Sequence, residues 1–179
     1  DRLSVRTFVY GFNENLVKEC IQRELLRSGQ MYYLCNDLRL IEDRKQRIIK
    51  FFPDVEVAIV HGQLKGQEIE ERMIRFQNGE IDILVCSTII ESGLDIPNAN
   101  TIIINNANRF GLAQLHQLRG RVGRSERQSY AYLLTPPKNQ ISEDGLKRLE
   151  AIEAIEDLGV GFILAMHDLE IRGAGEILG

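Results

Sequence analysis

The segment QLHQLRGRVGR at positions 114–124 holds the densest set of residues able to do chemistry. Four of its residues follow the pattern Q-x-x-G-R-x-x-R: Gln117, Gly120, Arg121 and Arg124. Residues three positions apart share one side of a helix or turn, so the two guanidinium groups are predicted to point in one direction. Such a pair suits a triphosphate, where an arginine that neutralises charge on the γ-phosphate accelerates reaction by about 10³–10⁵-fold. The alternative is a surface helix held by ion pairs.

The arginine segment lies in a basic stretch of a chain that is acidic overall. The formal net charge of −4 by itself argues against a protein that binds nucleic acid. Residues 101–140, however, carry six basic side chains and a single acidic one, Glu126, and five of the six are arginine. The arginine guanidinium can donate two parallel hydrogen bonds to a phosphate, and it keeps its charge near neutral pH. The stretch therefore favours phosphate binding, with a solvated charge run as the commoner explanation in other proteins.

A second candidate segment is STIIESGLDIP at 87–97, directly after an apolar strand pattern. Ligands of open α/β sheets bind beyond the carboxyl ends of the strands, and the whole segment is predicted at that edge. Ser87 and Thr88 could offer hydroxyls and backbone amides to phosphate. Gly93 would allow close backbone approach, and Asp95 could accept hydrogen bonds from a hydroxyl or an arginine. The alternative is a strand-to-loop turn with a capping aspartate.

His61 and Gly62 follow another strand pattern, VEVAIV, and are predicted at the same edge. Their position favours contact with a nucleic-acid backbone. A hydrogen-bonded structural histidine is the equally weighted alternative.

Short apolar runs alternate with helical patterns along most of the chain, which is typical of a parallel sheet covered by helices on both faces. Strands are predicted at 5–10, 30–35, 55–60, 81–86, 101–105 and about 129–134. A helix capped by Asn13 is expected to stop at Gly29, and another to close at Gly79. The predicted class is a doubly wound α/β fold.

The pattern changes after Pro136 and Pro137. Two helical patterns joined by a glycine-containing turn predict a helical hairpin. We therefore divide the chain into an α/β domain at 1–140 and a hairpin at 141–179. The chain ends within a glycine-punctuated segment, so it is expected to be a piece of a longer protein whose hairpin is truncated.

Cysteine usage and hydropathy exclude several classes of protein. The three cysteines, Cys20, Cys35 and Cys86, are odd in number and form no C-x-x-C pair, so neither a disulfide framework nor a metal site is expected. This indicates a reducing, cytoplasmic location. No apolar run is long enough to span a bilayer.

The chain also lacks the motifs of a complete nucleotide site. No glycine is followed by lysine, so the sequence has no G-x-x-x-x-G-K-[ST] phosphate loop. It also has no Asp-Glu dipeptide of the kind that holds magnesium. The absence of G-x-G-x-x-G excludes a nucleotide-binding oxidoreductase. The arginine pair without a phosphate loop predicts half of an ATP site, and the isolated chain is expected to be inactive.

Taken together, these motifs resemble superfamily 2 helicases and translocases, which close ATP between two RecA-like lobes. STIIESGLDIP is similar to the family's motif V, QLHQLRGRVGR to its motif VI, and HGQL at 61–64 to the element after motif IV that touches the tracked strand. The resemblance implies a RecA-like parallel sheet forming the second lobe, with Arg121 and Arg124 as catalytic residues facing ATP.

The same resemblance implies ATP with Mg²⁺ as cofactor, the metal and most phosphate contacts coming from the first RecA-like lobe of the same protein. The implied nucleotide-binding residues are Gly93, Asp95, Gln117, Gly120, Arg121 and Arg124. The implied nucleic-acid contacts are His61, Gly62, Ser87, Thr88, Arg148 and Arg172.

Within the superfamily, GLAQLHQLRGRVGR and the hairpin resemble the RecG/Mfd branch of double-stranded DNA translocases, which carry a translocation (TRG) hairpin. Arg148 and Arg172 would be the hairpin arginines that couple ATP closure to movement on DNA. EDLGVGFILAMHDLEIRGAG is most similar to the members that couple transcription to repair. They displace stalled RNA polymerase and recruit excision-repair proteins. The alternatives are a RecG-like fork-regression lobe and a non-catalytic DNA-binding or protein-binding adaptor.

Overall fold

A computed structural model describes residues 5–87 and 95–154 of the chain. The strands are β1 Arg6–Gly11, β2 Gln30–Leu34, β3 Val57–Val60, β4 Ile83–Cys86, β5 Ala99–Ile104 and β6 Tyr130–Thr135. The helices are α1 Glu14–Leu26, α2 Leu38–Phe51, α3 Gly66–Gln77, α4 Leu112–Arg119 and α5 Glu143–Ala154, with short 3₁₀ turns at Ala107–Arg109 and Lys138–Gln140. All six predicted strands are confirmed, with boundaries that differ by one or two residues.

Local chemistry explains where α1 and α3 begin or end. The Asn13 side chain caps α1 by accepting hydrogen bonds from the amides of Asn15 at 2.8 Å and Leu16 at 3.3 Å. Beyond its last turn, Ser28 adopts a left-handed conformation with φ 59°, and Gly29 follows. The chain leaves α3 through Gly79, whose φ of 81° suits glycine. These caps and stops confirm the predicted helix limits.

The six strands form one parallel sheet in the order β1-β6-β5-β2-β4-β3. All six residues of β5 are buried, as expected for a strand with helices on both faces. The predicted α/β class is therefore confirmed. Because every strand runs in the same direction, all carboxyl ends lie at one edge of the sheet, here called the carboxyl edge, and all amino ends at the opposite amino edge.

Two hydrophobic layers sandwich the sheet. Side chains of α1 and α2 pack on one face with alternate strand residues such as Tyr33 and Ile103. Those of α3, α4 and α5 pack on the other with Tyr32 and Ile102. The three cysteines are buried as free thiols within these layers.

The first helix of the predicted hairpin is confirmed as α5. The Ser142 hydroxyl accepts from the Gly145 amide at 3.0 Å, and Leu149 and Ile152 are buried in the same cluster as the sheet. The second predicted helix, with Arg172, lies outside the described residues. None of the helices in the described ranges is long and apolar enough to cross a membrane.

Candidate functional site

The predicted site residues lie at both edges of the sheet. The connection from Cys86 to Ala99 joins two parallel strands, so it must cross from the carboxyl edge to the amino edge. Ser87 lies at the first edge and Asp95 near the second, where the Gln77 side chain at the end of α3 donates to the Asp95 carbonyl at 3.3 Å. The prediction that 87–97 forms one loop at the carboxyl edge is therefore wrong for Asp95.

At the carboxyl edge, the structure brings His61, Gly62 and Ser87 together. Val60 and Cys86 are paired in register on β3 and β4, and the Ser87 amide donates to the Val60 carbonyl at 3.2 Å. His61 Nδ1 accepts from the Gln63 amide at 3.1 Å, which orients the imidazole ring. A methyl group at Gly62 would meet nothing within 4 Å, so internal packing does not require glycine there. Thr88 and Gly93 lie outside the described residues.

Sequence reasoning missed other polar residues at this edge. Asn105, Asn106 and Arg109 follow β5, and Asn106 has a left-handed φ of 51°. Arg39 and Asp37 follow β2. A hydrogen bond from Arg39 is the main cause of a lowered pKa at Asp37, and the charge of Arg109 adds to it. The asparagine pair directly after an apolar run was the signal that could have identified this position.

Helix α5 contacts the same edge through Arg148. Its guanidinium Nη2 donates to the Asn108 carbonyl at 3.2 Å, in the 3₁₀ turn after β5. Gly145 lies alongside, where a Cβ would come within 3.0 Å of Ile141 and 3.6 Å of the Asn108 carbonyl. A rotation of α5 would therefore displace the turn that follows the carboxyl end of β5.

The arginine segment lies at the amino edge, because α4 runs back across the sheet. The helix ends at Arg119, so of the predicted helix or turn the structure has no helix at Arg121 and Arg124; both belong to the loop 120–128, here called the arginine loop, which begins with a turn. The loop turns at Gly123, whose φ is 85°. A side chain there would be strained, and its Cβ would lie 3.1 Å from Val5 Cγ2. Buried Arg119 donates to the Val5 carbonyl at 3.1 Å.

The predicted motif residues form one outward-facing strip on α4 and the arginine loop. Gln117, Gly120 and Arg124 are exposed and Arg121 is half-buried. The intervening apolar side chains Leu118 and Val122 are buried against the sheet. Of the four residues, the helix therefore covers only Gln117, and Arg121 is the least exposed to solvent.

Arg124 is held loosely. Its Nε donates to the Gly120 carbonyl at 3.2 Å, and its Nη1 lies 3.9 Å from Asp95 Oδ1. Both side chains are about half exposed, so the pair contributes less than about 1 kcal/mol. The positive charges of Arg121 and Arg124 also act on the phenol of Tyr32. Burial raises the pKa of this phenol to about 12, and the two charges oppose that rise. An incoming anion could displace Asp95 at small energetic cost.

Comparison with known proteins identifies the class of this fold and site. Residues 13–126 match the family described as "Helicase conserved C-terminal domain". The chain belongs to this family, which confirms the predicted helicase-type lobe.

Curated relatives that the chain matches over nearly its whole length are transcription-repair-coupling factors. The chain is 56% identical over 178 residues to the one from Escherichia coli (strain K12). It is 55% identical over 178 residues to the one from Haemophilus influenzae. Each alignment covers 99% of this chain but 16% of the relative, so the chain spans about a sixth of these proteins.

Solved structures agree with the RecA-like fold. The structure "RecG bound to three-way DNA junction" superposes with a TM-score of 0.77 at 34% identity, covering 98% of this chain and 23% of that one. The C-terminal domain of the DEAD-box protein Dbp5 gives a TM-score of 0.61 at 19% identity, covering 84% of both chains. The second likeness concerns the fold alone.

Proposed function

We propose that this chain is the second RecA-like motor lobe of an ATP-dependent double-stranded DNA translocase. In the whole protein, the motor would displace stalled RNA polymerase and couple transcription to nucleotide excision repair. The observation that carries the proposal is the arginine loop, which holds a half-buried Arg121 and an exposed Arg124 whose ion partner, Asp95, lies 3.9 Å away. The identity to transcription-repair-coupling factors supports the biological role.

The residues at the amino edge fit the γ-phosphate of ATP but not its metal. Two guanidinium forks complement phosphate oxygens, and Gln117 and Gly120 lie on the same outward strip. Within the described ranges, no three histidine, cysteine or carboxylate side chains cluster as a metal site. The first lobe would supply Mg²⁺ and the phosphate loop. Arg121 and Arg124 would then stabilise negative charge on the γ-phosphate, with Asp95 released or rearranged as the lobes close.

The carboxyl edge would grip the DNA backbone. His61, Gly62 and Ser87 supply a ring, an unobstructed backbone and a hydroxyl at neighbouring strand ends. The contact of Arg148 with the turn after β5 would couple α5 to this grip. Nucleotide at one edge and DNA at the other would alternate through closing and opening of the lobes.

The decisive experiment removes Arg124 from a protein that contains both lobes. Arg124→Ala is expected to lower the DNA-stimulated kcat for ATP hydrolysis by about 10³-fold, equivalent to about 4 kcal/mol of transition-state stabilisation. The matched control is Arg75→Ala on α3, because Arg75 is also half exposed and loosely paired, 3.8 Å from Glu56. It should leave kcat within about twofold.

An Arg124→Ala protein that retained its activity within about twofold would overturn the proposal and favour the adaptor. Rapid ATP hydrolysis by the isolated chain would contradict the half-site, because this chain has no phosphate loop of its own.

A RecG-like fork-regression lobe is the second candidate, favoured by the 34% identity to the junction-bound RecG chain. The two functions differ in substrate rather than in ATP chemistry. Release of stalled RNA polymerase from DNA, without conversion of a model fork to a four-way junction, would support the first. The opposite pair of results would support the second.

A further inference from the structure

A buried asparagine lies under the arginine loop. Asn100, the second residue of β5, is fully buried at the amino edge. Its Oδ1 accepts from the Ser125 hydroxyl at 3.0 Å and from the Ser129 hydroxyl at 3.3 Å. The Ser125 oxygen in turn accepts from the Arg127 amide at 3.3 Å. One side-chain oxygen thus fixes the segment that directly follows Arg124.

A second anchor holds the same segment from the opposite face of the sheet. Arg127 Nη1 donates to the carbonyl of Arg27, the C-cap residue directly after α1, at 2.6 Å. The Arg27 guanidinium binds both carboxylate oxygens of Glu24, at 2.5 and 2.7 Å. Glu24 is only 1% exposed and also accepts from the Thr101 hydroxyl.

The two anchors meet in β5. Asn100 and Thr101 are consecutive, and the pairing of β5 with β2 shifts in register here, because Ala99 and Thr101 pair with the consecutive residues Gln30 and Met31. Asn100, the residue left out of this pairing, binds the arginine loop, while Thr101 binds Glu24 of α1. On the other side of Arg124, buried Arg119 donates to the Val5 carbonyl and so holds the start of the loop.

The backbone on both sides of Arg124 is therefore fixed, whereas its guanidinium is about half exposed and has a loose ion partner. This is the arrangement expected of a group that must meet a developing charge without reorganising the main chain. A buried amide could serve stability alone, but stability does not require that both hydroxyls donating to Asn100 Oδ1 come from the segment that follows Arg124.

We propose that Asn100 is a positioning residue for ATP hydrolysis, acting through Ser125 and Ser129 to set the backbone from which Arg124 projects. This inference rests on the proposed function. It assigns no contact with ATP to Asn100. Because a displacement of about 1 Å lowers rates by about 10²-fold, loss of the anchor should reduce turnover strongly while leaving nucleotide affinity largely intact.

The experiment uses a protein that contains both lobes, with duplex DNA, and measures kcat and KM for ATP. Ser125→Ala removes the bond to Asn100 and is expected to lower kcat at least about 10-fold, with KM changing less than about twofold. Ser125→Thr keeps a hydroxyl and should restore kcat to within about threefold of the parent. Glu126→Gln, at an exposed position in the same loop, is the control and should have no effect.

Combination with Arg124→Ala separates positioning from general destabilisation. If Ser125 acts through Arg124, Ser125→Ala should cause no further loss of kcat in the Arg124→Ala background. The losses of kcat caused by Asn100→Ala and by Ser125→Ala should likewise not add when the two substitutions are combined. Since Asn100→Ala could destabilise the fold, Ser125→Ala, at a half-buried position, keeps the test interpretable.

Three results overturn the proposal. An unchanged kcat in Ser125→Ala, with Arg124→Ala strongly impaired, would reject positioning and leave the proposed function standing. Equal losses from Ser125→Ala in both backgrounds would mean a structural role only. An unimpaired Arg124→Ala protein would reject the proposed function and this inference with it.

Discussion

The two edges of the sheet are built in different ways. At the amino edge, the arginine loop is fixed by buried side chains far apart in sequence, such as Asn100 with Ser125 and Glu24 with Thr101. At the carboxyl edge, His61 and Ser87 are held mainly by strand register and main-chain hydrogen bonds of short turns.

This difference has a functional interpretation. A group that must meet the γ-phosphate needs one fixed geometry, and buried polar bonds provide it. A surface that grips and releases a DNA backbone repeatedly needs accessible groups on short turns. We therefore expect substitutions beneath the arginine loop to lower stability, ATP turnover or both, and substitutions at the carboxyl edge to affect DNA coupling with little change in stability.

The largest effect on this comparison is expected from Gly29→Ala. A Cβ at Gly29 would lie 2.0 Å from Glu24 Oε2, and the carboxylate cannot move aside because Arg27 and Thr101 hold it. The free energy of unfolding should fall by about 3 kcal/mol, measured by urea denaturation. Gly66→Ala, where a Cβ meets nothing within 4 Å, is the control. Equal stability of the two variants would show that the carboxylate is not fixed.

Gly123→Ala tests the arginine loop itself. Gly79 has nearly the same backbone, with φ 81° against 85°, but a Cβ at Gly79 meets nothing within 4 Å. In both alanine variants the free energy of unfolding should fall by about 1 kcal/mol, because an alanine is strained in the left-handed conformation. In Gly123→Ala it should fall by about 1 kcal/mol more, because the new Cβ would press on Val5. ATPase activity of the two-lobed protein should fall in Gly123→Ala alone. A matching fall in Gly79→Ala would indicate a general effect of strain.

Gly62→Ala tests the carboxyl edge. Since open space surrounds the position, the melting temperature should stay within about 2 °C, while affinity for duplex DNA should weaken about 10-fold if a phosphate backbone approaches it closely. Fluorescence anisotropy with labelled duplex measures the affinity. Gly11→Ala, at the carboxyl end of the edge strand with equally open space, is the control. Equal affinities of the two variants would remove Gly62 from the DNA surface.

The smallest expected effect is a pH dependence through His116 on α4. Burial, and secondarily the charge of Arg119, lower the pKa of this imidazole below its usual 6.5. Unfolding returns the pKa to its usual value, so the unfolded chain binds more protons as the pH falls below about 6.5. This contribution to stability is present above that pH and lost below it. His116→Gln should reduce the change of the unfolding free energy with pH between about pH 5 and pH 8. An unchanged slope would contradict the assignment.

Several features of this protein followed from local sequence patterns. Alternating apolar runs predicted all six strands, and Asn13 and Gly79 marked helix limits, because these signals act between residues a few positions apart. The pattern Q-x-x-G-R-x-x-R likewise predicts a phosphate-binding role for a segment in which Gln117, Gly120 and Arg124 are exposed.

Other features were decided by the tertiary structure alone. Asp95 was predicted beside Ser87, yet it lies near Arg124, because strands β4 and β5 are parallel and their connection must cross the sheet. The bond between Asn100 and Ser125, 25 positions apart, and that between Glu24 and Thr101, 77 positions apart, depend on the strand order. The physical reason is that local patterns determine which segments form strands or helices and where these end. Contacts between distant residues exist only once the packed strands bring them within hydrogen-bond distance.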